Sequence, residues 1–288
     1  MRVPQPPLGR RLLDIRAQVA SLREDAVLLL VEDLADERRV EAVRRDFVAN
    51  VSHELKTPVG ALSLLAEAVQ SASGDPDAVR RFAERMQTEA TRLANLINDV
   101  IDLSRLQSDD PLSHATALDI DLLVRQAVED VRVVATASRI DIEVAGTPGL
   151  QVFGDSGQLS MALRNLLANA VAYSPPNTRV SVATRRPNGV VEIDVKDQGV
   201  GIPEHDLDRV FERFYRVDQA RSRGTGGTGL GLAIVKHVCR NHAGECTVWS
   251  EVGVGSTFTL RLPAYDSESG LADPADEAHT ISLGGESP

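Results

Sequence analysis

At 288 residues the chain is long enough for about two domains, and its formal net charge of −11 argues against nucleic acid as a direct partner, because phosphate backbones call for basic patches. Hydrophobic residues make up 42% and support a real core, whereas aromatics at 3% favour helices and light sheets over an aromatic-rich sandwich. The same negative balance means that a polyanionic ligand would need local compensation from a divalent cation, backbone amides or a few arginines.

The two cysteines, Cys239 and Cys246, have no metal-binding or redox spacing and read as reduced, small hydrophobes. Ala26–Val31 is apolar but too short to cross a bilayer, and Glu32-Asp33 closes it. With no secretory signal visible either, the expectation is a soluble, cytoplasmic polypeptide with no membrane span.

Residues 1–35 carry a loosely alternating stretch, Leu12–Leu22, then the Ala26–Val31 run, and fit two strands of a hairpin. Two strands hold no core by themselves, so this segment reads either as the remnant of an upstream sheet domain or as a disordered leader. From Leu34 to Gln70 a helical period takes over. Val40, Val43, Phe47, Val51, Leu55, Leu62 and Leu65 mark one buried face, and Pro58 is expected to bend the helix. Asp75-Pro76 then supplies an N-cap and a first helical position. A second amphipathic helix follows to about Leu106, with Val79, Phe82, Met86, Leu93, Leu96, Val100 and Leu103 as its stripe. Each stripe is only half covered in one hairpin, so two chains pairing into a four-helix bundle is the expected solution.

Gln107–Ala117 is polar and reads as a hinge. Beyond it, helices at Leu118–Ala137, Ser156–Tyr173 and Leu230–His242 alternate with short strands near Ile140–Val144, Gln151–Phe153, Arg179–Thr184, Val190–Lys196, Cys246–Trp249 and Thr257–Leu262. That pattern predicts an α+β two-layer sandwich. Tyr265–Pro288 has six acids and no Lys or Arg, and is expected to be a disordered acidic tail.

Chemistry concentrates in four places. His53 lies off the apolar seam of the first helix, so its imidazole should face outward, with a nucleophilic ring nitrogen. Alone, that describes many solvated surface histidines. Asn165 and Asn169 stand four apart on one helix, hence on one side. Their amides suit Mg²⁺ and phosphate-oxygen contacts, although buried structural asparagines would look the same. Asp197-Gln198-Gly199-Val200-Gly201 follows a strand, and its carboxylate beside a glycine turn can accept from an exocyclic amine such as adenine's, though an ordinary turn fits too. Gly224–Leu232 crowds glycines directly before an apolar helix, where free N–H groups and the helix dipole can meet phosphate. No Lys-Ser/Thr follows the last glycine, so this is no Walker A loop. Arg213 and Arg216, just ahead of it, could bring positive charge to a γ-phosphate.

In their order, these motifs resemble the sensor histidine kinases of bacterial two-component systems. Ser52–Pro58 matches the family's H-box, Asn165–Ala170 its N-box, and Asp197–Gly201 its G1 box. Phe211–Arg216 matches the F-box, Gly227–Gly231 the G2 box, and Gly253–Phe258 the last glycine turn. The resemblance covers roughly residues 34–263, and within the family it looks strongest to the actinobacterial phosphate-responsive kinase that pairs with a winged-helix response regulator. The Val-Glu-Asp-Leu run before the first helix also resembles the end of a PAS sensor domain.

The resemblance implies a dimeric helical phosphotransfer hairpin at residues 36–108 and a GHKL-type ATP-binding sandwich at 117–264, preceded by a PAS-like remnant at 1–35. It implies ATP and Mg²⁺ as cofactors, a response regulator as partner, and often a membrane tether through N-terminal segments. His53 would accept the phosphoryl group, Glu54 would raise its nucleophilicity, and Thr57 would place a water for dephosphorylation of the regulator. Asn169 would ligate Mg²⁺, and Asn165 and Tyr173 would contact nucleotide. Asp197 would read adenine; Gly199, Gly201, Gly227, Gly229, Gly231 and Thr257 would line its site, and Arg216 would stabilise the transferring group. The family often places Lys three residues after the second asparagine. Here Ala172 stands there, so that contact is missing or comes from Arg216 or Lys236. Gyrase, Hsp90 and MutL-type ATPases share the nucleotide motifs but lack a histidine-bearing hairpin ahead of them. A degenerate docking scaffold would not need Asp197, Asn169 and the glycine loop intact.

Overall fold

The computed structural model describes residues 2–4, 12–23, 26–108, 114–217 and 227–266. The chain divides into two compact units, Met1–Ile97 and Asn98–Pro288.

In the first unit, β1 (Arg2–Pro4), β2 (Leu12–Arg23) and β3 (Ala26–Asp33) form an antiparallel sheet in that order. Val19 and Leu28–Val31 stay about half exposed or more, so the sheet covers little of its own apolar surface. Helix α1 runs over Ala35–Ser71, unbroken through Pro58, and α2 over Pro76–Ser108. Asp75 starts α2: its Oδ1 accepts from the amides of Asp77 at 3.1 Å and Ala78 at 3.0 Å, satisfying donors that a helix start leaves open. Phe47, Val51, Leu55, Leu62 and Leu65 are only partly covered on α1, as are Val79, Phe82, Met86 and Leu93 on α2. Val48, Val59, Leu64, Ile97 and Ile101 are exposed. The side chains of Val40 and Val43 lie outside the described residues.

The second unit is a two-layer α+β sandwich. Its five-stranded sheet has the order β5 (Asp141–Gly146), β7 (Arg179–Arg185), β8 (Val190–Lys196), β10 (Gly255–Pro263), β9 (Glu245–Glu251), with β5 and β7 parallel and the rest antiparallel. Helices α3 (Ile120–Ala137), α4 (Ser156–Tyr173) and α5 (Gly231–Asn241) supply the other layer. Alternation decides the faces: Val180, Val182, Val191, Ile193, Val195, Phe258, Leu260 and Leu262 are buried with Leu163, Leu166, Ile234 and Val238 of the helices. The outward residues of the central strands carry an ion-pair ladder, Arg185 to Glu192 at 2.6 Å, Glu192 to Arg261 at 3.0 Å and Arg261 to Glu245 at 2.5 Å.

One short strand was not legible in the sequence: β4 (Thr116–Asp119), which pairs with the expected β6 (Gln151–Gly154). It shifts the start of α3 from the expected Leu118 to Ile120, where Asp119 caps the helix through Leu122 N–H at 3.0 Å. The helix bearing the paired asparagines is anchored in the same manner. Asp155 accepts from Gln158 N–H at 2.8 Å, while its own N–H donates to His242 Nε2 at 3.0 Å. His242 Nδ1–H donates to the Val238 carbonyl at 2.8 Å, which fixes a neutral tautomer. The buried imidazole thus ties the end of α5 to the start of α4. Gly154 lies so close that a Cβ there would sit 2.3 Å from the ring.

The expected tail starts later than Tyr265. Tyr265 N–H donates to the Gln151 carbonyl at 2.8 Å, and Asp266 pairs with Arg186 at 2.6 Å. The rest of the tail and the centre of the expected hinge lie outside the described residues.

Candidate nucleotide site and phosphoacceptor helix

Each unit carries one part of the candidate machinery. On α1, His53 is exposed and Glu54 half-buried. Helical geometry places Thr57 one turn further on, where its hydroxyl donates to the His53 carbonyl at 3.4 Å. Arg92 on α2, which sequence reasoning passed over, approaches Glu54 at 3.9 Å and Glu89 at the same distance. A long arginine on an amphipathic helix carried no signal of its own. Its relevance comes only from the hairpin that brings it to Glu54.

In the second unit the remaining motifs converge. Asp197 directly follows β8 and is only 6% exposed. Its Oδ1 accepts two amides, Gly199 N–H at 2.7 Å and Ser256 N–H at 3.2 Å, leaving Oδ2 without a partner among the described residues. Burial pushes the carboxyl above the ordinary carboxylate range, against the two amide bonds. Gly199 must be glycine, since a Cβ would lie 2.7 Å from the Tyr173 carbonyl and 2.8 Å from Asp197 Oδ1. Gly201 has φ +70 and packs on the backbone of Glu251, which holds the turn against the β9–β10 connection.

Tyr173, at the end of α4, bridges from this turn to the glycine loop: a Cβ on Gly227 would sit 3.6 Å from its hydroxyl. Asn165, two turns earlier, aims Oδ1 at Gly231, where a Cβ would come within 2.6 Å, and its Nδ2 donates to the Met161 carbonyl at 3.0 Å. Asn169 is half-buried, and its amide has no hydrogen-bond partner among the described residues. Gly229 takes φ +75 against the backbone of Phe214, whose N–H donates to the Gly229 carbonyl at 2.8 Å. The F-box segment and the glycine loop are therefore hydrogen-bonded to each other. Residues 218–226, including Gly224–Gly226, lie outside the described set.

One expectation needs correction. Thr257 does not face this site. It stands opposite Lys196 and Trp249 in the sheet register, on the outward face, one residue out of phase with the buried Phe258. Ser256 reaches Asp197 instead, and its hydroxyl lies 2.8 Å from that of Ser250, which in turn accepts from Ile202 N–H at 2.8 Å. A strict period of two from Phe258 would have found Ser256. Lys236, raised as a stand-in for the cation that Ala172 replaces, rests over the Phe211 ring at 5.6 Å. Arg216 is half-buried, and burial lowers the pKa of its neighbour Arg213. A groove of about 630 Å³ opens between α3 and α4 beside Ala172, lined by Asp130, Val134, Arg139 and Ala168. Neither Asp197 nor Asn169 borders it.

A carboxylate with one oxygen held by two amides, a helix presenting two asparagines, and a glycine loop opening a third helix define a GHKL-type nucleotide fold that follows a histidine-bearing hairpin in the chain. Comparison with known proteins agrees. Residues 43–109 match the His Kinase A (phospho-acceptor) domain, and residues 154–266 match the histidine kinase-, DNA gyrase B-, and HSP90-like ATPase domain. The sensor-like histidine kinase SenX3 of Mycolicibacterium smegmatis is 49% identical over 280 residues, covering 96% of this chain and 72% of that protein. The phosphate regulon sensor protein PhoR of Pseudomonas aeruginosa is 35% identical over 274 residues, and the chain spans 61% of its length. Among solved structures, histidine kinase ThkA in complex with response regulator protein TrrA shares the fold at a TM-score of 0.66, with 18% identity over 92% of this chain and 78% of that one. The chain belongs to the sensor histidine kinases of two-component systems. No helix among the described residues is long and apolar enough to cross a membrane.

Proposed function

We propose that this chain binds ATP at the Asp197 site, transfers the γ-phosphoryl group to His53, and passes it on to an aspartate of a response regulator, which it also dephosphorylates. The observation that carries the reading is the asymmetric Asp197 carboxylate: Oδ1 is saturated by Gly199 and Ser256, and Oδ2 remains to accept from an exocyclic amine. Adenine offers such a donor, and the polyphosphate then extends toward the Gly227–Gly231 amides at the start of α5, where the helix dipole favours anions.

A divalent cation fits this site through Asn169. Its carboxamide oxygen is a hard, neutral ligand without another partner among the described residues, and those residues offer no cluster of three or more acids, histidines or cysteines. Mg²⁺ suits one or two protein oxygens completed by phosphate and water, and when bound it would neutralise charge on the β- and γ-phosphates. The protein's own part is mostly positioning. Asn165 braces Gly231, Tyr173 spans the turn and the loop, and Arg216 faces the charge that develops on the transferring group. His53 is exposed for in-line attack by one ring nitrogen. A P–N bond forms as the bond to ADP breaks, while Glu54 accepts the N–H of the other ring nitrogen and takes its proton as positive charge builds on the imidazole. Thr57, one turn on, holds the water that later hydrolyses the aspartyl phosphate of the regulator.

The half-covered stripes of α1 and α2 support a homodimer through the hairpin. Residues 36–108 would be the dimerisation and phosphotransfer domain, 117–264 the catalytic domain, and 1–35 the end of a PAS-like sensor domain with its linker. The regulator would be of the winged-helix DNA-binding type. A paired labelling experiment with γ-³²P-ATP tests the reading. His53→Gln should bind an ATP analogue with unchanged affinity and take up no label. Asn169→Ala should lose Mg²⁺-dependent nucleotide binding and labelling together. Labelling of His53→Gln at the parent level would rule the proposal out.

A further inference from the structure

Beyond the motifs, the glycine loop carries one polar contact that nucleotide binding does not account for. Thr228 lies between Gly227 and Gly229, just before α5. No side chain caps α5 at Leu230, but the Thr228 hydroxyl accepts from Leu230 N–H at 3.2 Å and donates to Asp99 Oδ2 at 2.5 Å. Asp99 sits on the last three turns of α2, which belong to the second unit. That stretch is bonded to α5 at a second point: His237 Nε2–H and Asn241 Nδ2–H both donate to the Leu106 carbonyl, at 3.0 and 3.5 Å. Leu103 and Leu106 are buried between these points. The end of α2 is thus fastened at the third turn of α5 by neutral donors and at the start of α5 by a carboxylate.

The two fastenings differ in one physical respect. The Leu106 contact is far from any phosphate and involves no acid. The Asp99 contact places an anion at the helix N-terminus, where the dipole favours negative charge, in the loop to which the polyphosphate is assigned. Burial raises the Asp99 pKa, Thr228 opposes this by donating to it, and nearby Asp102 adds to it, so the carboxylate depends on Thr228 for its compensation. A triphosphate arriving at the same loop is a like charge and competes for the same local field.

We propose that Asp99 is an internal competitor of the nucleotide: through Thr228 it holds the glycine loop in a nucleotide-free arrangement, and ATP binding must break this contact. This rests on the assignment of the Gly227–Gly231 loop to phosphate. The contact sets a threshold for nucleotide affinity, and α2, the helix carrying Asp99, becomes an element through which that threshold can be adjusted.

The test is equilibrium binding of a non-hydrolysable ATP analogue with Mg²⁺ to the full chain carrying His53→Gln, so that no phosphotransfer contributes. Asp99→Asn keeps the shape and an acceptor for Thr228 but removes the charge, and should tighten binding by about tenfold at low salt. The gain should shrink as ionic strength rises. Asp99→Ala, which also removes the acceptor, should tighten it at least as much. With Thr228→Val already present, Asp99→Asn should add a smaller gain than it does in the parent, because the contact is gone and only the like-charge repulsion remains. Thermal melts of each variant establish that it is folded. If the parent binds nucleotide and the folded Asp99→Asn binds equally or more weakly, the competitor role is overturned while the nucleotide site stands. If the folded parent binds no adenine nucleotide, both readings fall.

Discussion

Asp197 shows how much one residue's hydrogen bonds determine. Both backbone donors converge on Oδ1, so Asn at this position keeps the acceptor that the fold uses and replaces the free oxygen with an NH₂ donor. Asp197→Asn should therefore abolish adenine-nucleotide binding in calorimetry, because a donor would face a donor. Its melting temperature in the absence of nucleotide should equal or exceed that of the parent. The sign follows from burial. A carboxyl whose folded pKa is raised contributes stability that is present at low pH and lost as pH rises through the folded value. Removing the charge removes that loss at neutral pH. The D-x-G-x-G pattern pointed to this residue, but the sequence could not tell which oxygen was engaged, since Ser256 comes from a strand 59 positions away. Thr257 was misassigned for a related reason: a hydroxyl beside a glycine turn looks the same in sequence whichever way the strand faces. Only the register with Lys196 and Trp249 decides it.

Among elements, α4 and α5 carry the candidate site, and His242 couples them. Because its ring bonds the Asp155 amide at one end and the Val238 carbonyl at the other, the helix of Asn165 and Asn169 starts where α5 ends. Gly154→Ala drives a Cβ into that ring, an overpacking that should cost about 1–3 kcal/mol in chemical denaturation. A variant as stable as the parent would show that the ring moves freely. Gly231→Ala addresses the other end of α5. Its Cβ would meet Asn165 Oδ1, so nucleotide affinity should fall at least tenfold in a binding titration while global stability changes little. The helices were legible because their apolar periods are long and, for α2, because Asp75-Pro76 marks its start; the caps at Asp119 and Asp155 emerged only in the structure. Strand β4 was not legible, because four residues next to a helix cap leave no periodic trace, whereas its partner β6 was expected near Gln151–Phe153. His242 was passed over as well, since a lone histidine after a helix gives no hint of its partner 87 residues earlier.

At the scale of the molecule, the order of motifs along the chain carried more information than any single one. An exposed histidine, two asparagines, an aspartate turn and a glycine loop each had an ordinary structural explanation. Their succession, and the Gly199–Tyr173, Tyr173–Gly227 and Asn165–Gly231 approaches that join three of them, leave one economical reading. The hairpin is the part that a single chain completes least. Ile97 and Ile101 are 43% and 42% exposed on α2, and covering such residues by a second copy is what the dimer reading requires. Replacing both with Lys should convert the dimer to a monomer in sedimentation analysis, with nucleotide binding retained. A chain that stays dimeric would place the interface elsewhere. The Arg92–Glu54 approach also became visible only when the hairpin folded, and it brings a cation to the glutamate that follows His53, which the H-box alone does not reveal.

The central claim is that phosphate leaves ATP for His53. Site mapping by mass spectrometry after incubation with ATP and Mg²⁺ tests it most directly, under alkaline conditions that preserve phosphohistidine. The account expects a single phosphoryl group on the peptide containing His53, lost on brief acid treatment and missing from both His53→Gln and Asp197→Asn. A stable phosphate on another residue, or a His53→Gln chain labelled as fully as the parent, would contradict it.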